Sequence, residues 1–247
     1  MSDRFQVRLA YDGTAFHGSQ FQPELRTVQG ELERALIKIG WQEKSVYFAG
    51  RTDAGVHAAG QVIAFDLDWG HTAKDLNKAL NAVLPQDISA TQVKRTKDDF
   101  HPRYQALSRK YRYQILSSPI RDPLQERYCW RVWPETDVKL MKRASKSLIG
   151  IHDFAALGKP HQTGGSTVRK IIGTNWTKKR DSQVFEITGN AFLYHMVRHI
   201  IMTLVRIGQG LEPVDKIKQH LDNPSGPKAQ GIAPARGLSL VEVEYQD

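Results

Sequence analysis

The segment with the most chemical promise is Gly50-Arg51-Thr52-Asp53-Ala54-Gly55-Val56-His57. Its glycines let the backbone turn sharply and let a bulky ligand come close, and they present one carboxylate, Asp53. An ionised carboxylate held this way can accept a proton or attack an electrophilic carbon. Taken alone, the same pattern also describes an ordinary turn aspartate, the commoner reading of an Asp-x-Gly turn. An arginine such as Arg198 could hold such a carboxylate ionised and oriented if it came near; its other reading is a solvated surface arginine. Tyr111 lies among Arg109, Lys110 and Arg112. A ring beside cations can stack on an extruded nucleobase for about 1 to 3 kcal/mol, and alternation alone is equally satisfied by a core tyrosine.

Metal and nucleotide cofactors find no matching pattern. His195 and His199 lie four apart, like half a zinc site, but Met196, Val197 and Arg198 stand between them instead of the sequence H-E-x-x-H, and a cation there would repel a metal. Phosphate contact suits these histidines better. The chain has neither G-x-x-x-x-G-K-[ST] nor a placed G-x-G-x-x-G, so no cofactor is expected. A net charge of +9 favours a polyanionic partner, since neutralising phosphates releases condensed counterions. The single cysteine, Cys129, excludes an internal disulfide framework and fits a reducing cytoplasm. No apolar run approaches the roughly 20 residues that span a bilayer, and the first residues lack a signal core, so the chain reads as cytoplasmic and membrane-free.

Two halves of similar element order must position these residues. In the first, Phe5, Val7, Leu9 and Tyr11 alternate with polar residues as a strand, and Val28, Leu32, Ala35, Leu36 and Ile39 recur at helical spacing between Thr27 as N-cap and Gly40 as stop. Strands are predicted over 45–49 and 61–65, a helix after Thr72 and Asp75 that Pro85 stops, and a strand over 88–94. In the second half, Tyr111, Tyr113 and Ile115 mark a strand, Val138, Met141, Ala144 and Leu148 a helix ending at Gly150, then strands over 169–176 and 183–188 around a polar turn. A long helix is predicted over 191–207 and a last strand over 238–245. Leu193, Val197, Ile200, Leu204 and Ile207 would form its core stripe, with His195, Arg198, His199 and Arg206 as a cationic flank facing a cleft. Each half spells β-α-β-β-α-β, giving an α+β fold of two tandem ferredoxin-like or RNA-recognition-like halves, 1–105 and 106–247, with an active-site cleft between their sheets.

The loop Gly50–Ala58 resembles the signature loop of the TruA family of tRNA pseudouridine synthases. The resemblance continues in the same order through YDGTAFHG from Tyr11, HPR from His101, SRKYRYQI from Ser108, GNAFLYHMVR from Gly189 and APARGLSL from Ala233. It implies a cofactor-free homodimer that converts uridine to pseudouridine at positions 38 to 40 of the tRNA anticodon arm. Residue by residue, Asp53 matches the catalytic aspartate, Tyr111 the base-stacking tyrosine and Arg198 the aspartate-pairing arginine. Arg51 matches an arginine suited to filling the gap left by a flipped base. One departure is Ser19, where the family often carries tryptophan after His-Gly.

That reaction breaks the bond from N1 to C1′, turns the freed base and bonds C5 to C1′. The carboxylate would attack C6 of the ring or take the C2′ proton to give a glycal, and the residue types leave both routes open. Two other classes compete. A non-catalytic RNA-binding protein would carry the octapeptide K/R-G-F/Y-G/A-F-V-x-F/Y, which is absent, and a metal-dependent nuclease would need clustered carboxylates where the loop offers only Asp53.

Overall fold

The computed structural model describes residues 2–42 and 45–246. It is a mixed α+β chain of mostly antiparallel strands that divides into two compact units, Met1–Leu107 with Ser239–Asp247, and Ser108–Leu238.

In the first unit the alternation of Phe5, Val7, Leu9 and Tyr11 becomes strand β1 (Asp3–Tyr11), with all four side chains buried. Helix α1 (Val28–Lys38) begins where Thr27 caps it, its hydroxyl accepting the N–H of Gly30, and Gly40 beyond the end takes φ of +97°. Strand β2 contracts to Tyr47–Phe48, and β3 (His57–Leu67) starts earlier than the alternation suggests. Helix α2 (Ala73–Val83) is capped by Thr72, and β4 (Ile88–Arg95) follows. The sheet runs β4, β1, β3, with β2 on the far edge of β3 and all pairs antiparallel. Leu32 and Leu36 of α1 and Leu76 and Leu80 of α2 are fully buried, as are Phe5, Val7 and Leu9; each contributes about 1.5 to 3 kcal/mol of burial.

The second unit holds β5 (Ala106–Ser117), β6 (Trp130–Val132), α3 (Val138–Ser145), β7 (Gly150–Asp153), β8 (Val168–Lys179), β9 (Ser182–Gly189), α4 (Met196–Gly208) and α5 (Lys216–Asp222). Strand β9 pairs antiparallel with both β5 and β8, β7 joins β8, and β6 runs parallel beside β5. The predicted polar turn narrows to Arg180-Asp181, with Arg180 at φ of +52°. Three buried polar side chains form a chain: Thr136 donates to Gln183, and Gln183 to the Ser117 hydroxyl.

Helix α3 stops at Ser145, short of Gly150, and two larger expectations change. The strand over 238–245 exists as β10 (Leu238–Tyr245), but Ser239 and Leu240 pair in parallel with His57 and Ala58, so its residues from Ser239 onward belong with the first unit. Gly60 permits this approach, since a Cβ there would lie 2.3 Å from the Val241 carbonyl oxygen. The helix predicted from 191 begins only at Met196, after His195 in the left-handed region at φ of +62°.

Candidate active site

The Asp53 loop is built by short bonds rather than regular structure. Asp53 and Val56 close a turn, with the Val56 N–H donating to the Asp53 carbonyl (3.1 Å) and Gly55 at φ of +76°, the sign that a type II turn requires at its third residue. Upstream, the buried Gln61 amide donates to the Gly50 carbonyl (2.9 Å). Thr52 is buried, and its hydroxyl shares a 2.8 Å hydrogen bond with that of Tyr11. Burial pushes the Tyr11 phenol up to about 12, so it remains neutral in this contact. Asp53 is half-buried and Arg51 exposed.

A second segment, 13–19, runs antiparallel to this loop. The Gly13 N–H donates to His57 Nδ1 (3.0 Å), the Gly55 N–H to the Phe16 carbonyl (3.2 Å) and the Ser19 N–H to the Thr52 carbonyl (3.0 Å). Contact is close enough to demand glycine twice: a Cβ on Gly13 would sit 2.1 Å from the Val56 carbonyl oxygen, and one on Gly18, at φ of +96°, 2.9 Å from that of Thr52.

Tyr111 and Arg198 belong to the second unit. On β5, Tyr111 opposes Ile187 and continues the buried row of Tyr113 and Ile115; it is only 8% exposed, with its ring edge-to-face with Phe192 at 5.1 Å. Arg198 stands half-buried in the first turn of α4. Its Nε donates to the Ala233 carbonyl (2.8 Å), while the Ala233 N–H donates to the Arg198 carbonyl (3.2 Å), so side chain and backbone are fixed by one residue. The adjoining Pro234 carbonyl accepts the Tyr113 hydroxyl (2.7 Å). The lead into α4 is tied down as well. Asn190 exchanges hydrogen bonds with Lys170, its carbonyl accepts Arg109 Nη1 (2.7 Å), and Tyr194 exchanges backbone hydrogen bonds with Lys159. Those bonds hold 190–195 out of helical geometry, which is why α4 starts late.

Arg51 and Asp53 thus share one loop of the first unit, and Tyr111 and Arg198 one unit of their own. His195 precedes the helix rather than riding on it; its ring stacks on Tyr194 at 3.6 Å and lies 6.1 Å from that of His199. Among the described residues, no group of three or more His, Cys, Asp or Glu is placed to hold a metal ion. Nor, among them, is any helix long and apolar enough to cross a membrane. The roles of Tyr11, Ser19, Gln61, Asn190 and Ala233 have no signature in periodicity. Tyr11, Asn190 and Ala233 fall in the motif islands, which were the available signal; Ser19 and Gln61 do not.

The family model described as tRNA pseudouridine synthase matches residues 9–105 and 144–246, blocks that include Arg51, Asp53 and Arg198 but not Tyr111. The chain is 40% identical over 244 residues to a tRNA pseudouridine synthase A of Fervidobacterium nodosum, covering 98% of this chain and 99% of that protein. It is 38% identical over 247 residues to one of Limosilactobacillus fermentum, covering 98% and 96%. With matches of this extent, the chain belongs to the tRNA pseudouridine synthase family, whose members isomerise uridine in tRNA.

Proposed function

We propose that this chain isomerises uridine to pseudouridine at positions 38 to 40 of the tRNA anticodon arm, with Asp53 as the essential carboxylate. The observation that carries the reading is the loop around Asp53: a half-buried carboxylate whose backbone is hydrogen-bonded before and after it, inside a matched family block. Preorganisation of this kind matters because a misplacement of about 1 Å can cost about a hundredfold in rate.

In this reading Arg198 supplies the countercharge that keeps Asp53 ionised, Tyr111 stacks on the extruded uracil, and Arg51 fills the gap the base leaves. Flipping costs a few kcal/mol, which stacking offsets. The two units would be tandem ferredoxin-like halves. The sheet order β4-β1-β3-β2 of the first and the run β5-β9-β8 of the second support that reading. Its partners would be tRNA and a second copy of the chain, in the cytoplasm, without metal or cofactor.

Attack at C6 and proton removal at C2′ both begin with an ionised carboxylate. Both end when the C5 to C1′ bond forms and the C5 hydrogen leaves to water. Asp53→Asn keeps shape while removing charge and basicity, and asparagine suits a glycine-flanked turn. The expected variant folds, binds tRNA and releases no tritium from tRNA labelled at uridine C5. Release at a rate near wild type by the folded variant would remove Asp53 from the mechanism.

A further inference from the structure

Ser19 ends the segment that lies against the Asp53 loop, and its Oγ, N–H and carbonyl are all hydrogen-bonded. Its side chain is 1% exposed. The Ser19 Oγ accepts the Thr52 N–H (2.8 Å), its own N–H donates to the Thr52 carbonyl (3.0 Å), and its carbonyl accepts the Gln29 N–H in the first turn of α1 (3.0 Å). The neighbouring Gly18 carbonyl takes the Val28 N–H (3.2 Å), so the segment satisfies two donors that a helix start leaves open. Ser19 therefore joins the beginning of α1 to the peptide immediately before Asp53. A tryptophan could not make the bond to Thr52 N–H, because its indole offers a donor and no acceptor.

We propose that Ser19 is a positioning residue for the reaction: its hydroxyl fixes the Thr52 N–H, its own N–H the Thr52 carbonyl, and the backbone of Thr52 held between them sets the direction in which Asp53 presents its carboxylate. The inference rests on Asp53 being the catalytic carboxylate. The physical argument is an asymmetry within the clasp. Backbone bonds alone would hold the Thr52 carbonyl, in the Thr52–Asp53 peptide, but only Oγ holds the Thr52 N–H, in the Arg51–Thr52 peptide, and with both flanking peptides held the φ and ψ of Thr52 are fixed. Releasing the N–H frees the Arg51–Thr52 peptide and loosens Thr52 and, through it, Asp53, while the Ser19 N–H bond and the turn from Asp53 to Val56 keep the loop in place.

Ser19→Ala removes the acceptor and retains the backbone half of the clasp; Ser19→Cys keeps nearly the same size with sulfur as a much weaker acceptor. In single-turnover tritium release at saturating tRNA, we expect the Ala variant to fall about threefold to tenfold and the Cys variant to lie between it and wild type. The Kd for tRNA should stay within about twofold. Wild-type turnover in both variants, or a loss confined to Tm or tRNA affinity, overturns the inference. If the Ala variant does not fold, the Cys variant decides by the same readout. Asp53→Asn is run alongside: an active Asp53→Asn sinks the assignment of Asp53, whereas an inactive one beside fully active Ser19 variants sinks only the role of Ser19.

Discussion

Under the proposed function, Tyr111 would have to satisfy two demands that sequence alternation treats as alternatives. It extends the buried row of β5 and touches Phe192 edge-on, yet it sits at the end of that row, beyond the fully buried Tyr113. A ring held this way is rigid before substrate arrives, which lowers the ordering cost of stacking on a base. Tyr111→Phe keeps the ring and should bind and turn over tRNA better than Tyr111→Ala, which forfeits about 1 to 3 kcal/mol of stacking. The Ala variant also leaves a cavity, so both variants are compared on the folded fraction measured by thermal melting. Equal tRNA affinity and turnover in wild type and the Ala variant would leave Tyr111 with a packing role only. The same scale explains why arginine suits position 198. Its Nε donates to the Ala233 carbonyl partway along the side chain, and lysine has no donor at that point of its stem.

At the level of elements, α4 tests what a left-handed residue does at a helix start. His195 has φ of +62° and contributes no side-chain hydrogen bond as N-cap, so its backbone is there because 190–194 is pinned on one side and the helix begins on the other. Asparagine tolerates this region and valine does not. His195→Asn and His195→Val both lose the ring contact with Tyr194, so their difference isolates the backbone. The Val variant should be about 1 to 2 kcal/mol less stable than the Asn variant in urea unfolding. Equal stabilities would mean the segment relaxes out of the left-handed region at no cost. The start of α4 was hidden because the apolar spacing of Leu193, Val197 and Ile200 continues across it; only the ties of Asn190 and Tyr194 to distant backbone end the helix. By contrast, α1 and α2 were legible to within a residue or so because Thr27 and Thr72 cap them at the point where the period starts. The short elements β6, β7 and α5 have too few residues to display a period. The site was legible as a motif and not as a geometry. Asp53 is read from its loop, but the antiparallel segment 13–19 that fixes the loop leaves no trace in either stretch, since its bonds join residues more than thirty apart.

For the molecule as a whole, the relevant quantity is how much of its positive charge remains for a polyanion after internal pairing. Many cations are neutralised at home: Arg4 by Asp66, Arg26 by Asp87 and Glu31, Arg112 by Glu186, Arg206 by Glu212, Lys218 by Asp222. Such exposed or half-exposed pairs add little stability, typically up to about 1 kcal/mol each, but each also removes a charge from the pool that can meet phosphate. The chain still carries nine more cationic than acidic side chains, an excess that internal pairing cannot consume. That excess predicts electrostatic binding of tRNA with a steep salt dependence. If about six phosphates are neutralised, each releasing about 0.7 of a counterion, the slope of log affinity against log salt is roughly −4, and affinity falls several hundredfold between about 50 and 200 mM salt. Turnover at saturating tRNA should change far less, because the bonds that fix the Asp53 loop are short, buried and weakly screened. Filter binding across a salt series, paired with saturating tritium release at each salt, separates the two effects. A flat binding curve would count against a charged tRNA surface, and a collapse of saturating turnover in step with affinity would mean that salt acts on the loop itself.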